Sequence, residues 1–274
     1  MGTLYVVATP IGNLEDLTLR ARRILGEVAL IAAEDTRRTR QLLNHLELRT
    51  PTLSYFEHNK LARLDQILAA LDVGDVALVS DAGTPAISDP GQELVHAALA
   101  AGHAVVPVPG ASAVLAALVA SGLPTTAFTF LGFPPRRSQE RREALAALAK
   151  TPTTLIFYES PHRVADLLAD ALAVLGDRPA AVARELTKLH ETFVRGTLST
   201  CLAAFQGVEV LGEVTVLIGG AAPTAPGRWA EADVRAELAR RLSSGVRRRE
   251  AARIVAEQSG WAVKEVYGLD FAAD

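Results

Sequence analysis

A single cysteine, Cys201, occurs in the 274 residues, so no internal disulfide can form and no CxxC pair exists to hold zinc. A buried, inert thiol is its expected role. The six histidines show no metal-ligand spacing. Apolar runs of about 20 residues are absent, which removes a membrane-spanning helix from the expectations. The opening MGTLYVVATPIG has no basic leader and too short an apolar run for a secretory signal, and Val6 stands where N-myristoylation wants Ser or Thr. A cytoplasmic location is the expectation left. Charge of one sign is also missing. With 28 basic and 31 acidic side chains the net charge is −3, so any nucleic-acid surface must be local.

Familiar nucleotide and hydrolase signatures are missing too. The first apolar strand is not followed by GxGxxG, and no GxxxxGK[ST] occurs, which argues against a Rossmann dinucleotide site and a P-loop. His190-Glu191 begins an HExxH, but Val194 takes the second histidine position. Gly110-Ala-Ser112-Ala-Val114 approaches a nucleophile elbow, but Val114 replaces its last glycine.

What is present reads as α/β. Hydrophobic residues make up 49% and charged residues 22%, enough for a real core. Apolar runs alternate with helical spacing. Strands are expected at 4–8, 28–33, 76–80 and 104–108, then at 129–133, 153–158, 180–184, 190–195 and 214–218. Asp89-Pro90 reads as a helix cap followed by proline, and Ser112 as the cap of a helix ended by Gly122 and Pro124. That stretch marks one boundary. The Gly/Pro-rich 219–227 marks another, as a linker. The expected organisation is therefore 1–121, an α/β domain with a mostly parallel sheet; 122–220, a second α/β domain; and 228–274, a small helical domain with helices near 231–243, 247–258 and 263–269. Between 235 and 253, seven arginines face two acids, a local charge of +5.

Four loops follow apolar strands and precede helices: Thr9–Asn13, Ser80–Gly91, Pro107–Ser112 and Tyr158–Arg163. In open sheets, ligands bind beyond the carboxyl ends of the strands. Proline makes such loops rigid, and small residues such as Ala82, Gly83, Ala111 and Ser112 leave room for a flat group. Asp81 supplies an acceptor for an amino group or ribose hydroxyls. Any one loop could equally be a tight turn; four in one sheet favour a site.

The strings VATPIGNLxD, AEDTRRTRxLL, SDAGTPAISDPG, PVPGASA, GFPPRRSxxR, IFYESPHR and ARELTKxHE occur in order across 4–219, and together the sequence resembles the bacterial 16S rRNA cytidine ribose 2′-O-methyltransferase family. The resemblance implies a two-domain tetrapyrrole-methylase-like fold with S-adenosylmethionine in the cleft between the domains. It also implies a homodimer, a small-ribosomal-subunit substrate and a helix-turn-helix-like C-terminal appendage. Carried over by position, Pro10, Asp81, Ala82, Gly83, Thr84, Pro85, Gly110, Ala111, Ser112 and Ala113 should surround the cofactor, with Phe157 and Tyr158 lining it.

Methyl transfer to a hydroxyl needs alignment above all, with a general base as an aid. Asp35, Glu159, Glu185 and Glu191 are the candidates, with Asp35, Glu159 and Glu191 preferred. The segment 34–40 could equally be a charged helix start, and 184–191 an exposed hairpin edge. Arg37, Arg136, Arg137 and Arg163 are candidate phosphate contacts near the site, and Arg247, Arg248 and Arg249 in the tail. Solvated helical faces with Arg–Glu pairs are the plainer alternative there. His162 reads more simply as a structural histidine than as an acid or base. Two other functions stay open: a tetrapyrrole or other small-molecule methyltransferase on the same fold, and a non-catalytic RNA-binding assembly protein.

Overall fold

The computed structural model describes residues 2–222 and 228–269. They form two compact units, 1–220 and 221–274. The first contains two five-stranded sheets.

The first sheet comprises β1 (Thr3–Val7), β2 (Leu30–Ala33), β3 (Thr52–Ser54), β4 (Val76–Val79) and β5 (Ala104–Val108), in the order β3-β2-β4-β1-β5. Every pairing is parallel. All its carboxyl ends therefore share one edge. Helices α1 (Leu19–Glu27) and α2 (Thr36–His45) and helices α3 (Lys60–Val73) and α4 (Gln92–Ala100) accompany it. Two separate clusters hold it together, one built on Val7, Leu25, Ile31 and Val79, the other on Leu4, Ile67, Leu71 and Leu94. Strands buried on both faces need such continuous apolar runs, and Val76–Val79 is buried at every position.

The second sheet comprises β6 (Phe128–Phe130), β7 (Thr154–Glu159), β8 (Pro179–Arg184), β9 (Thr192–Thr197) and β10 (Val214–Ile218), in the order β6-β7-β10-β8-β9. Only β6 and β7 are parallel; β10 runs against both β7 and β8. Helices α6 (Ser138–Ala147), α7 (Val164–Leu175) and α8 (Leu198–Phe205) complete the set. Leu145, Leu167, Leu168 and Leu198 join Leu155 and Phe157 in one core. On the other face Ile156, Ala181 and Leu217 pack with Val114, Ala117 and Leu118 of α5 (Ala113–Ser121). Thus α5 follows a strand of the first sheet but packs on the second. The boundary read at 121/122 falls at its end, where Gly122 caps the helix in a left-handed conformation (φ 81°).

Several expected ends moved. The strand read from Val28 starts at Leu30, because Val28 N–H still closes α1 on Ile24. The strand read at 190–195 runs Thr192–Thr197, and 129–133 contracts to Phe128–Phe130. The short strand Thr52–Ser54, partly buried throughout, gave no apolar signal. The cap read at Asp89 is displaced: α4 starts at Gln92 behind Gly91. Gly91 has φ 151°, and a Cβ there would meet Leu78 Cδ2 at 2.9 Å, so only glycine closes this loop.

The second unit has α9 (Glu231–Ser243), α10 (Arg248–Ser259) and α11 (Val263–Tyr267) around Val234, Leu238, Val255 and Val266. The turn between α9 and α10 uses Gly245 at φ 87°. Of the expected linker, 223–227 lie outside the described residues, as do 270–274 of the expected third domain.

Candidate active site

Three loops interlock at the carboxyl edge of the first sheet. Thr9 and Gly83 exchange both backbone hydrogen bonds, at 2.9 and 3.0 Å. The Thr84 hydroxyl donates to the Ala111 carbonyl at 3.3 Å. Gly83 sits at φ 78°, and a Cβ there would press Ile11 Cγ2 at 3.3 Å. The loops after β1, β4 and β5 thereby form one rigid wall.

The fourth loop, Tyr158–Arg163, expected in the same sheet, instead follows β7 of the second sheet, which supplies the facing wall. Because β10 is antiparallel to β7, its start lies beside the β7 end, with Val214 opposite Glu159. Between the walls is a cavity of about 420 Å³, inside the usual range for small-molecule sites. Ile11, Ala82, Ala113, Tyr158 and Val214 give it apolar surface; Thr84, Ser112 and Thr215 give it hydroxyls. Glu34, Asp81, Asp89, Glu159 and Glu213 also line it, against one cation, Arg38.

The acids are tied to one another. The Asp81 carboxylate accepts from Asp35 N–H at 3.0 Å and pairs with Arg38 at 3.4 Å, while Asp81 N–H donates to Glu34 at 3.2 Å. Burial raises the Glu34 carboxyl above its ordinary range. Burial, reinforced by the charges of Glu34 and Asp81, pushes Asp89 up to about 6 despite a hydrogen bond with Ser80. Tyr158 is pushed up to about 12, by burial first and then by Asp89.

The family model for Tetrapyrrole (Corrin/Porphyrin) Methylases matches residues 3–202. A ribosomal RNA small subunit methyltransferase I of Halalkalibacterium halodurans is 47% identical over 272 residues, covering 98% of this chain and 94% of its own. One of the same name from Synechocystis is 48% identical over 271 residues, covering 98% and 97%. The chain belongs to the ribosomal RNA small subunit methyltransferase I family. Its fold is shared by the uroporphyrin III C-methyltransferase of Thermus thermophilus complexed with S-adenosylhomocysteine, at TM-score 0.54 and 22% identity over 79% of this chain and 97% of that one.

Asp81, Ala82, Gly83, Thr84, Ser112, Ala113 and Tyr158, read from sequence as cofactor residues, line the cavity. Pro10 lines an adjoining recess of about 330 Å³ with Thr9, Arg38 and Asp81. Pro85, Gly110, Ala111 and Phe157, expected there as well, are not among the lining residues. Strand alternation turns Ile156 and Tyr158 to the face that carries α5 and Phe157 into the core beneath α7.

The carboxylates chosen from sequence occupy different settings. Asp35 caps α2, and hydrogen bonds from the Arg37 side chain and backbone hold it near 2. Glu159 is buried, accepts from Ser160 N–H at 2.7 Å and pairs with Arg163, leaving Oε2 without a protein partner. Glu191 is exposed outside the lining and accepts from Thr187 N–H at 2.6 Å. A hydrogen bond from Lys188 lowers Glu185.

The arginines also divide. Arg37 pairs with Asp35 and Arg137 with Glu140, both at the surface; Arg136 is exposed. In the second unit Arg248 donates to the carbonyls of Tyr267 and Leu269 and covers the Tyr267 ring, so it braces the fold. Arg247, Arg249 and Arg253 are exposed and make no ion pair among the described residues. Arg240 and Arg241 pair with Glu237, as helical spacing allows.

Glu34, one of the acids of the charged 34–40 segment, lines the cavity too, whereas sequence reasoning missed Asp89, Phe133 and Gly212–Thr215 as lining residues. The last group begins an antiparallel strand, which a search of strand carboxyl ends cannot find. Phe133 lay inside an expected strand, yet it is 59% exposed beside the Tyr158 ring, 5.7 Å centroid to centroid.

Proposed function

We propose that this protein methylates the ribose 2′-oxygen of a cytidine in small-subunit ribosomal RNA, with S-adenosylmethionine as methyl donor. Family membership at 47–48% identity over nearly the whole chain carries the reading. The cavity fits the donor: flat apolar surface and hydroxyls for the adenosine, and a preponderance of acids for its cationic sulfonium. When bound, the cofactor supplies an activated methyl group. The chain's residues then bind and orient. Asp81 and Ser112 offer acceptors to the donor's hydroxyl or amino groups, and the Gly83 turn lets backbone approach closely.

The exposed aromatic edge of Phe133 beside Tyr158 suits an unstacked base at the cavity mouth. Arg136 and Arg137 on the following turn, and Arg247 and Arg249 of the helical unit, suit phosphates. The organisation read as 1–121, 122–220 and 228–274 belongs to this proposal, as does a homodimer. The apolar helix α5 supports the latter by exposing Leu115 (52%) and Val119 (74%); sedimentation tests it. A cytoplasmic site of action completes the reading. No helix among the described residues is long and apolar enough to cross a membrane.

The test is transfer of labelled methyl from S-adenosylmethionine to small subunits or extracted rRNA lacking the modification. Label on a cytidine ribose supports the reading; label confined to a small molecule replaces it with the tetrapyrrole-type alternative.

A further inference from the structure

The loop from Asp81 to Gly91 makes an unusual turn before α4. Ala86 and Ser88 both adopt positive φ, 68° and 63°, conformations that side-chain-bearing residues visit rarely. The turn delivers Asp89 to the lining of the main cavity. Around it stand Ile87 and Phe133, both exposed, and Tyr158, all lining the same space.

We propose that Asp89 takes the proton from the substrate hydroxyl during methyl transfer, an inference that rests on the activity proposed above. The other candidates are occupied or misplaced. Asp35 is locked by Arg37, and Glu191 lies outside the lining. Glu34 accepts the Asp81 N–H, and Asp81 is engaged by the Asp35 N–H and Arg38. Glu159 has a fully buried side chain anchored through one oxygen to Ser160 and Arg163, and Glu213 is paired with Lys188 at 3.1 Å. Tyr158, raised to about 12, stays protonated and cannot accept. Asp89 is partly buried, with Ser80 as its hydroxyl partner.

Burial first, and then the charged groups facing Asp89, set its behaviour. Glu34 beyond β2 and Asp81 beyond β4 raise it; Arg38, Glu159 and Glu213 share the cavity lining. The resulting value of about 6 suits a base working near neutrality, where it is ionised yet still basic. In the step, the ribose oxygen forms a bond to the methyl carbon. The carbon–sulfur bond breaks, and its electron pair stays on sulfur, neutralising the sulfonium. The hydroxyl proton passes to an Asp89 carboxylate oxygen and leaves to solvent after product release.

The test compares wild type with Asp89→Asn and Asp89→Glu. For Asp89→Asn the expectation is a kcat lower by about 10²–10⁴-fold, with cofactor Kd changed by less than about threefold. Asp89→Glu should recover part of kcat. Wild-type kcat/KM should fall on the acid side with a limb near pH 6, a limb that Asp89→Asn lacks. Calorimetry in buffers of different ionisation enthalpy adds a readout without turnover: near pH 6, cofactor binding to wild type should release protons, and binding to Asp89→Asn should release fewer. An Asp89→Asn enzyme of near-wild-type kcat overturns the proposal, as does a loss of cofactor affinity equal to the loss of rate. If Asp89→Asn does not fold, a wild-type profile flat through pH 6 overturns it. Absence of transfer by wild type defeats the activity itself, whereas transfer retained by both proteins defeats the role of Asp89 alone.

Discussion

Removing the Asp170 carboxylate should cost far more than a surface charge would. Asp170 lies on α7 with its side chain 5% exposed, facing Arg141, whose side chain is 3% exposed. Arg141 binds Asp170 Oδ2 through Nη2 at 2.6 Å and Nε at 2.8 Å. Its Nη1 donates to the carbonyls of Pro135 and Arg136. Arg142 and Ser138 take the remaining acceptor sites on Asp170. Burial alone would raise this carboxyl, but the hydrogen bonds from Arg142, Ser138 and Arg141 outweigh it and leave it lowered. Asp170→Ala strands a buried guanidinium, which costs about 3–5 kcal/mol. That is a large share of a typical stability of about 5–15 kcal/mol. Replacing the pair together, Arg141→Met with Asp170→Leu, should cost much less, because no buried charge remains. Urea unfolding followed by circular dichroism measures both through the midpoint at constant slope. A loss under about 1 kcal/mol for Asp170→Ala, or a double variant worse than the single, would refute the reasoning.

Other consequences are equally open to measurement. Asp89 titrates higher in the fold than its ordinary 3.8, so its stabilising contribution is complete below that value and lost as pH rises through about 6. Asp89→Asn should therefore be more stable than wild type by about 1–2 kcal/mol at pH 8, after discounting for partial exposure, with the gain fading by about pH 4; equal melting temperatures at pH 8 would contradict this. Gly91→Val must displace Leu78 or Ala86 and strain φ, so it should destabilise by more than about 1 kcal/mol in the same unfolding assay. Arg247→Ala and Arg249→Ala should each lower the salt dependence of RNA binding by about one unit of slope in a filter-binding titration, without altering cofactor affinity.

Much of this structure was written in short-range pattern. Val76–Val79 and Ala104–Val108 read as buried parallel strands, and the loops behind them as ligand walls, because continuous apolar runs and Gly/Pro turns are local signals. The three helices of the second unit were equally plain. What escaped depends on tertiary geometry. Thr52–Ser54 is an edge strand too short for periodicity. Asp89 carries the sequence of a helix cap, and only the turns at Ala86, Ser88 and Gly91 carry it to the cavity instead. Gly212–Thr215 reaches the site because β10 runs antiparallel to β7, a pairing that no local string encodes. Arg248 sits in a run of three arginines, yet packing against Tyr267 separates it from its neighbours.

The most direct test incubates the protein with labelled S-adenosylmethionine and small ribosomal subunits lacking the modification, then maps the label within the RNA. The account predicts label on one cytidine ribose 2′-oxygen, abolished by Asp81→Ala. Label on a base, or cofactor binding with no methyl reaching RNA, would contradict it.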